Sequence, residues 1–575
     1  MRKIAGIFII IFAFTAPCPA FSQVPNPADL SREQDRLQQQ QRQLIDEQRR
    51  QWELRDAEAG RPPGAAVTPP PEKPSAEAGR CLEIKEVEFS GNTRLSDRRI
   101  KKIIAPYLNH CLTLAAINTL LNDITNAYIE KGYITSRAFL LIPQPRLNEG
   151  ALTIKIFEGQ LSRVEGLKAG EKASAFPFLE GKILNLRDLE QGLDQMNRLG
   201  SNRASLDIAA DESQNGYSRL IIKNEPQGRT NLGLTLDNHG STSTGEWRAG
   251  LKASQDNLFG LNDQIDLAYT NSVFADSGQK NSRSALFGLS VPLGWWTFSN
   301  NFSYSEYKTS FPMPISGDRF YSLGDSVNDT VALERMLMRG PKYKFASTLG
   351  LTYKQNNNYM KVYDLKIKNE ASSRTVSTLN LDLPLTLYFG NGMLYVKPGW
   401  AQGLRAFGAF DDRDSPYTQK AQFEAYKLYL NGNLGFKYFS FMTAIDSQWT
   451  RDELFPTDAF YLGGVYSVRG FKDESSMGDS GFLVRNDLNL KLGPVFGSQN
   501  IWLNAFTPGL FVDYGRAFPN AEGLAPASLA GAGAKLGVNY WIFDASVSWA
   551  KIIEREDWMK ETSAIYVNAG INYRF

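Results

Sequence analysis

The sequence has no long hydrophobic run. None of its apolar stretches reaches the roughly 18 residues that a membrane-spanning helix requires. The longest runs from Ile4 to Ala16, follows Arg2 and Lys3, and precedes small residues near Ala20. A charged start, a short apolar centre and small residues at the end predict a secretory signal peptide at 1–22. We therefore expect the mature chain to leave the cytoplasm.

Histidine and cysteine are scarce. The chain has two histidines, His110 and His239, and three cysteines, of which Cys18 falls in the predicted signal peptide. The remaining pair, Cys81 and Cys111, is most simply a disulfide, because oxidising compartments outside the cytoplasm permit that bond. A metal site is the poorer alternative, since so few histidines are available as ligands. No cofactor is expected.

No charge of one sign dominates. The chain carries 63 basic and 61 acidic residues, so it indicates neither a nucleic-acid footprint nor a polybasic membrane patch. A length of 575 residues exceeds one ordinary core and predicts several domains. The 48 glycines, 24 tyrosines and 34 phenylalanines favour many strands with aromatic residues at their ends.

The stretch 27–59 lacks glycine and is dominated by Gln, Arg, Glu and Asp, which predicts a helix that is polar almost all round. Leu30, Leu37 and Leu44 recur every seven residues, but one leucine per heptad is a thin seam for a coiled coil. A short coiled coil and a disordered polar arm compete with a helix in a water-filled lumen. The proline-rich residues 60–79 predict an extended linker. Such a linker tethers the helix loosely, which would let the helix leave its site.

Two short globular modules are predicted next. Residues 80–158 read as strand, helix, helix, strand, strand, and a similar order returns in residues 159–225. Both modules are therefore expected to be α+β. A repeated module of this size with open strand edges suggests a peptide-binding array, because an extended guest strand can pair with an exposed edge.

Residues 226–575 alternate between apolar and polar side chains over stretches of roughly ten residues. Every second residue is apolar from Leu379 to Phe389 and again from Ile565 to Phe575. Repeated between Gly, Asn and Asp turns, this pattern predicts an antiparallel transmembrane barrel of about 14–18 strands. A soluble β-sandwich also alternates, but the strand length, the signal peptide and the terminal aromatic residue favour the barrel.

One motif raises the question of catalysis. Gly478-Asp479-Ser480-Gly481 looks like a serine-protease GDSG sequence. Neither histidine has a natural route to Ser480 in the predicted layout, and nothing marks an oxyanion hole. The sequence also has no nucleotide-binding motif. The chain is therefore not predicted to be an enzyme.

A glycine-rich turn from Gly463 to Phe471 delivers one arginine and one large aromatic residue. Alone, it is most simply an exposed loop with a solvated arginine. Within the turn, the distinctive block is Val468, Arg469, Gly470 and Phe471. Other distinctive blocks of the chain are Asn185, Leu186, Arg187, Asp188, Glu190, Gln191 and Gly192; Asp237-Asn238-His239-Gly240; Asp256 to Asp263; and Phe511, Asp513 and Gly515. Together these blocks resemble the TpsB transporters of two-partner secretion, which are relatives of the barrel-assembly proteins.

The resemblance implies a sixteen-stranded barrel, two periplasmic POTRA modules and an N-terminal helix that plugs the pore. It places Asn185 to Gly192 in the second module and Val468 to Phe471 at the tip of a sixth extracellular loop that folds back into the lumen. Arg469 is expected to meet Asp513 there, because a partly buried arginine needs a carboxylate. Gly470 would let the backbone turn sharply beside it.

The implied function is export of a cognate TpsA-type exoprotein across the bacterial outer membrane, without ATP, after the POTRA modules recognise its amino-terminal secretion domain. Further expected partners are outer-membrane lipid and the barrel-assembly machinery, the latter through a C-terminal signal at Tyr573 and Phe575. The alternative is an insertase for barrel proteins, although assembly proteins usually carry more than two modules. A passive porin is disfavoured because porins lack periplasmic modules. Many family members also share the Cys81 and Cys111 pair.

Overall fold

The computed structural model describes residues 27–59, 81–313, 318–370, 372–414, 417–497 and 501–575. The predicted signal peptide at 1–22 and the linker at 60–79 lie outside the described residues. Within the described ranges, no helix combines the length and the apolar character that crossing a membrane would require.

The predicted N-terminal helix is present as a 33-residue helix, Pro27–Ala59. Its uninterrupted run of good helix formers accounts for its length. The helix stands inside the barrel and has only a narrow apolar face. Leu37 and Leu44 are buried, and Ile45 packs with Ala268 and Leu286 of the barrel wall. Trp52 packs beside this cluster, and most of the remaining contacts are polar, as a wet lumen requires.

The first module is an α+β unit with its own core. Its strands are Leu82–Ile84, Glu86–Ser90, His110–Leu112, Arg137–Leu140 and Ala151–Phe157, its α-helices are Asp97–Ile104 and Leu114–Glu130, and its short 3-10 helices are Ala105–Tyr107 and Leu147–Glu149. Ile117, Leu120 and Ile124 recur at three- and four-residue spacing and bury one face of the longer helix in that core. A disulfide joins Cys81 to Cys111, whose Cα atoms are 5.3 Å apart. The described residues contain no group of three or more side chains arranged to hold a metal ion.

The second module has the same α+β character. Its strands are Gln160–Glu165, Ser205–Ala210 and Tyr217–Lys223, and its helices are Ala169–Ala175 and Leu186–Asn197. The last strand lies between the other two. Leu189, Leu193 and Met196 form the buried stripe of the longer helix. The opposite side of this helix faces the barrel.

Sixteen antiparallel strands close into a barrel, which confirms the predicted fold class. In chain order they are Thr230–Asp237, Trp247–Asp256, Gln264–Val273, Asn281–Leu293, Trp296–Pro312, Arg319–Gly340, Tyr343–Val362, Arg374–Asp382 continued by Leu385–Phe389, Gly392–Leu404, Glu424–Gly435, Phe439–Thr450, Ser480–Leu490, Phe506–Phe518, Ala527–Tyr540, Phe543–Glu554 and Ser563–Arg574. Pro384 interrupts the eighth strand because proline has no N–H for the ladder. The first strand pairs with the last and closes the barrel at a seam.

Short elements decorate the barrel. They are Leu365–Lys368, which pairs with the seventh strand; Phe460–Leu462 and Ser476–Gly478, which pair with each other; the helices Leu492–Val495 and Ile501–Ala505; and the 3-10 turn Asp412–Asp414.

Side-chain exposure follows the alternation seen in the sequence. On the first strand Leu232, Leu234 and Leu236 are exposed on the outer face, whereas Asp237 is buried. Ile565 and Ile571 on the last strand are exposed in the same way. An apolar outer face and a polar interior are the arrangement that lipid outside and water inside require.

Candidate functional site in the barrel lumen

The sixth loop, residues 451–479, connects the eleventh and twelfth strands and folds into the barrel. Its tip is anchored by apolar packing. Val468 and Phe471 are both 0% exposed and belong to one buried cluster with Leu462 from the same loop and Leu483 and Leu529 from the wall. Arg469, between them, is thereby held against the wall instead of in solvent.

Arg469 makes a bidentate ion pair with Asp513 on the thirteenth strand. Its Nε lies 2.6 Å from Asp513 Oδ2 and its Nη2 lies 2.6 Å from Asp513 Oδ1. Its backbone N–H also donates to Asp513 Oδ2 at 3.0 Å. The guanidinium carbon lies 3.7 Å from the centre of the Phe511 ring, a cation–π contact. Asp513 is fully buried, so removing Arg469 would leave a buried carboxylate without its bidentate partner.

A second carboxylate, Asp487 on the twelfth strand, completes the site, and sequence reasoning missed it. Asp487 accepts hydrogen bonds from Arg469 Nη1 at 2.9 Å and Nη2 at 3.3 Å. It also accepts from Lys535 Nζ at 2.6 Å. Arg485, two residues earlier on the same face, donates to the carbonyls of Val465 and Tyr466. The alternation of Arg485 and Asp487 on a lumen-facing strand was the only signal available.

Backbone geometry explains the glycine beside the arginine. Gly470 has a φ of 118°, a left-handed conformation that side chains disfavour. Its N–H donates to the Tyr566 hydroxyl at 3.2 Å, and that hydroxyl donates to the Phe471 carbonyl at 2.9 Å. The turn is therefore fixed by the last strand. Gly515 faces Leu462 of the loop, where a side chain would collide with it.

The residues that follow the tip bind the loops on both sides of the seam. Glu561, just before the last strand, accepts the backbone N–H groups of Lys472, Asp473 and Glu474 at 2.9, 3.0 and 3.1 Å. Burial raises the pKa of Glu561, although these three hydrogen bonds favour its charged form. Asp473 in turn accepts from the Ser241 hydroxyl at 2.7 Å, just after the first strand. The loop thus bridges the two ends of the barrel sheet.

The block Asp237 to Gly240 lies at the outer end of the seam. The Asn238 side-chain oxygen accepts the Val567 N–H at 2.8 Å, and its amide donates to the Ile565 carbonyl at 3.0 Å. Burial lowers the pKa of His239 to about 4, and its ring packs edge-on against Tyr566. These contacts continue the pairing of the last strand beyond the end of the first.

The N-terminal helix reaches the same loop mainly through neutral side chains. Gln40 donates to the Lys472 carbonyl at 3.1 Å and Gln43 to the Gly463 carbonyl at 3.3 Å. Gln39 and Arg36 donate to two further loop carbonyls. Toward the barrel wall, Gln34 donates to Ser322 at 2.8 Å and Gln38 to Asn358 at 2.9 Å. Its ion pairs with the rest of the chain include Arg36 with Asp473 of the loop, Arg50 with Asp446, Arg55 with Asp266 and Glu53 with Lys397.

The GDSG sequence is structural in its contacts. Asp479 accepts the backbone N–H groups of Leu454 and Asn520, each at 2.6 Å. The Ser480 hydroxyl accepts the Thr450 N–H at 3.0 Å and donates to the Thr450 carbonyl at 3.1 Å. Both side chains are therefore committed to holding the base of the sixth loop.

The motif at 185–192 lies at the other end of the barrel, where it connects three parts of the chain. Asn185 caps its helix by accepting the Arg187 N–H at 2.8 Å, and the Leu186 N–H donates to the Gly132 carbonyl of the first module at 2.8 Å. Arg187 and Glu190 form an ion pair at 2.8 Å along one side of the helix.

The same helix docks on the periplasmic turn between the fourth and fifth strands. Asp188 accepts from Trp295 Nε1 at 2.8 Å, and Gln191 donates to the Gly294 carbonyl at 3.2 Å. Gln191 also accepts from the buried Arg339 at 2.8 Å. Gly192 leaves room for Phe176 of the module core. The motif thus fixes the second module to both the first module and the barrel.

Tyr573 and Phe575 lie at the periplasmic end of the seam. Their rings stack with centroids 6.0 Å apart, and both side chains are more than half exposed on the outer face. The Phe575 N–H and carbonyl exchange hydrogen bonds with Thr230 at 2.9 and 3.0 Å. This end of the chain is thus part of the closing strand pair.

A closed barrel with two modules at its inner mouth, and with a helix and a loop inside its lumen, defines a protein transporter of the outer membrane. Comparison with known proteins identifies the family. Residues 216–539 match the haemolysin secretion/activation protein ShlB/FhaC/HecB family, and residues 82–159 and 155–210 match two POTRA domain models, the first of them ShlB-type. The chain belongs to this family, the TpsB transporters of two-partner secretion, and the predicted recognition and outer-membrane location are confirmed.

The chain is similar to transporters over most of its length and most of theirs. The chain is 33% identical to an outer membrane transporter CdiB of Dickeya dadantii (strain 3937), over 86% of each chain. It is 29% identical to the hemolysin transporter protein ShlB of Serratia marcescens, over 88% of this chain and 87% of the relative. The solved structure of CdiB from Escherichia coli superposes with a TM-score of 0.81 at 28% identity, covering 96% of this chain and all of that one.

Proposed function

We propose that the protein recognises one cognate TpsA-type exoprotein in the periplasm through its POTRA modules and exports it through the barrel without ATP. The N-terminal helix leaves the lumen to clear the path, while the sixth loop stays attached to the wall or rearranges on it. No catalytic step is assigned, and folding of the exoprotein outside supplies direction by removing chain from the pore.

The polar fit of the N-terminal helix is the observation that carries this proposal. Most of its contacts are glutamine hydrogen bonds to hydroxyls, amides and carbonyls of the lumen, including Gln34 with Ser322 and Gln40 with Lys472. Water can replace each of these bonds at a net cost of about 1 kcal/mol. A helix held in this way can leave a wet lumen without unfolding the barrel.

Open sheet edges support recognition by the modules. Among the described residues, Arg137–Leu140 in the first module pairs only with Ala151–Phe157, and Ser205–Ala210 in the second pairs only with Tyr217–Lys223. An exposed edge binds an extended guest strand through backbone hydrogen bonds. The motif at 185–192 is not available for this purpose, because it faces the barrel.

The gating part of the proposal is tested by conductance in planar bilayers. The full chain and a variant lacking residues 27–59 are compared at the same protein amount. The deletion variant is expected to conduct persistently and the full chain only in brief openings. Indistinguishable conductance would contradict the assignment of the helix as a plug and would favour a passive porin.

The export part is tested by secretion. Candidate exoproteins are co-expressed with the wild type and with Arg469→Ala, and the medium is assayed for each. We expect the wild type to secrete one cognate exoprotein and the variant to secrete much less of it. Equal secretion would refute a role for Arg469, and a normal rate for an exoprotein variant unable to fold would refute folding as the source of direction.

The barrel-assembly machinery is proposed to insert the protein itself through Tyr573 and Phe575.

A further inference from the structure

Phe178 of the second module is an apolar side chain held out of its own domain. It is 81% exposed, whereas Phe176, two residues earlier, is buried in the module core. Its φ is 57°, in the left-handed region that bulky residues avoid. A strained backbone that displays a phenylalanine calls for a partner outside the module.

The residues around Phe178 place it at the periplasmic rim of the barrel. Pro177 packs so closely on Gly294, in the turn between the fourth and fifth strands, that an added Cβ there would lie 2.7 Å from Pro177 Cγ. The Gly294 N–H donates to the Ser174 carbonyl at 2.7 Å. Phe178 therefore directly follows a contact with the barrel.

The turn that Pro177 touches is where the lipid-facing surface begins. Leu293 is 52% exposed on one side of Gly294, and Trp296 and Phe298 are 38% and 40% exposed on the other. These outward side chains belong to the apolar band of the barrel. Phe178 is thus one residue away from a contact with the turn at the edge of that band.

A second turn contributes to the same rim. The Asp263 carboxylate accepts the N–H groups of Leu258, Phe259 and Leu261 at 3.0, 3.0 and 3.2 Å, which fixes the turn between the second and third strands. Leu258 and Phe259 are 56% and 62% exposed as a result. This arrangement also gives a physical role to part of the Asp256 to Asp263 block.

Both turns bind one short segment of the module. Asn262 of the second turn donates to the Ser174 hydroxyl at 2.8 Å, and Asn257 donates to Glu171 at 2.7 Å. The segment from Glu171 to Phe178 is thus attached at two points along the barrel edge. This segment ends at the exposed Phe178, and the second turn carries the exposed Leu258 and Phe259.

We propose that Phe178, Leu258 and Phe259 form a lipid-contacting rim that enters the headgroup region of the inner leaflet. Aromatic and leucine side chains favour this depth, because the interface accepts their apolar bodies. The second module is then held by the membrane as well as by the barrel. The inference concerns lipid and does not depend on the proposed export function.

The test uses site-specific fluorescence quenching. Phe178→Cys is made in the full chain, whose predicted mature part has no cysteine outside the Cys81–Cys111 disulfide. The thiol is labelled with an environment-sensitive fluorophore, and the protein is reconstituted into phosphatidylethanolamine–phosphatidylglycerol vesicles carrying nitroxides near the top of the acyl chain. Leu258→Cys serves as the barrel-turn reference, and Phe139→Cys, 54% exposed in the first module, is the matched control.

Quenching at position 178 is expected to match that at 258 and to exceed that at 139 by about twofold or more. Quenching at 178 no greater than at 139 would overturn the proposal. A nitroxide on the same cysteine gives a second measurement, with oxygen expected to reach position 178 better than a water-soluble nickel chelate. A label at 178 that stays in water and responds only to added exoprotein would also overturn it and would assign the side chain to the exoprotein.

Discussion

The N-terminal helix and the tip of the sixth loop share one lumen but are held by different physics. The loop tip depends on Arg469 between two carboxylates and on an apolar cluster that includes Val468 and Phe471. The helix depends mainly on neutral hydrogen bonds, with partly exposed ion pairs such as that between Arg50 and Asp446.

The difference indicates which element is built to move. Neutral side-chain hydrogen bonds exchange with water at little net cost, whereas a buried ion network destabilises the protein when one member is removed. The helix donates to carbonyls of the loop at Lys472 and Gly463, and it supplies none of the charges around Arg469. We therefore expect the helix to leave while the loop tip keeps its partners.

Arg469→Ala is expected to have the largest effect, because it removes the bidentate partner of the buried Asp513 and one of the two cations beside Asp487. The loss in the free energy of unfolding should be about 3–5 kcal/mol. Urea-induced unfolding in vesicles measures it. Arg451→Ala, an exposed arginine at the base of the same loop, is the matched control. Equal losses for the two variants would contradict a stabilising ion network at Arg469, on which the distinction between loop and helix depends.

Asp487→Ala is expected to have a smaller effect than Asp513→Ala. Asp487 is partly exposed and leaves Arg469 still paired with Asp513, so a loss of about 1.5–3 kcal/mol is expected in the same unfolding measurement. The double variant Asp487→Ala/Lys535→Ala should lose less than the sum of the single variants, because the two side chains are hydrogen-bonded. Strict additivity would contradict the network.

Gln40→Ala is expected to act on the helix alone. Removing its bond to the Lys472 carbonyl should weaken the binding of the helix in the lumen by about 0.5–1.5 kcal/mol. The fraction of time that the channel is open in planar bilayers should therefore rise. Gln51→Ala is the control, since Gln51 is exposed and bonds only to Glu47 of its own helix among the hydrogen bonds described. A fall in barrel stability as large as that of Arg469→Ala would contradict the comparison.

Salt should produce the smallest effect. The pairs Arg50–Asp446 and Glu53–Lys397 are partly exposed, and such pairs contribute about 0–1 kcal/mol that salt screens. Raising salt from about 0.1 M to about 1 M should slightly increase the open fraction without altering urea unfolding. In Arg50→Gln the salt response should shrink, and an unchanged response would assign it elsewhere.

The fold was largely predictable, because alternation along strands such as Ile565 to Phe575 reports directly on two faces. Contacts across the lumen were not. Arg469 and Asp513 are 44 positions apart, and only a family resemblance brought them together. Asp487 was missed because many lumen-facing strands carry polar residues, and local pattern does not tell which one an inward loop will reach. Gln191 was expected in the module motif, but its contact with Gly294, 103 positions away, required the packed structure.

The hydrogen bonds of Asp473 have a consequence for how the barrel is made. They join Ser241, 232 positions earlier, and Glu561, 88 positions later, so this junction depends on contacts between distant parts of the chain. Forming contacts this distant along the chain costs loop-closure entropy before the contacts stabilise the fold. Docking of the sixth loop and closure of the barrel are therefore expected to be one cooperative event. It is expected only after the intervening strands have paired.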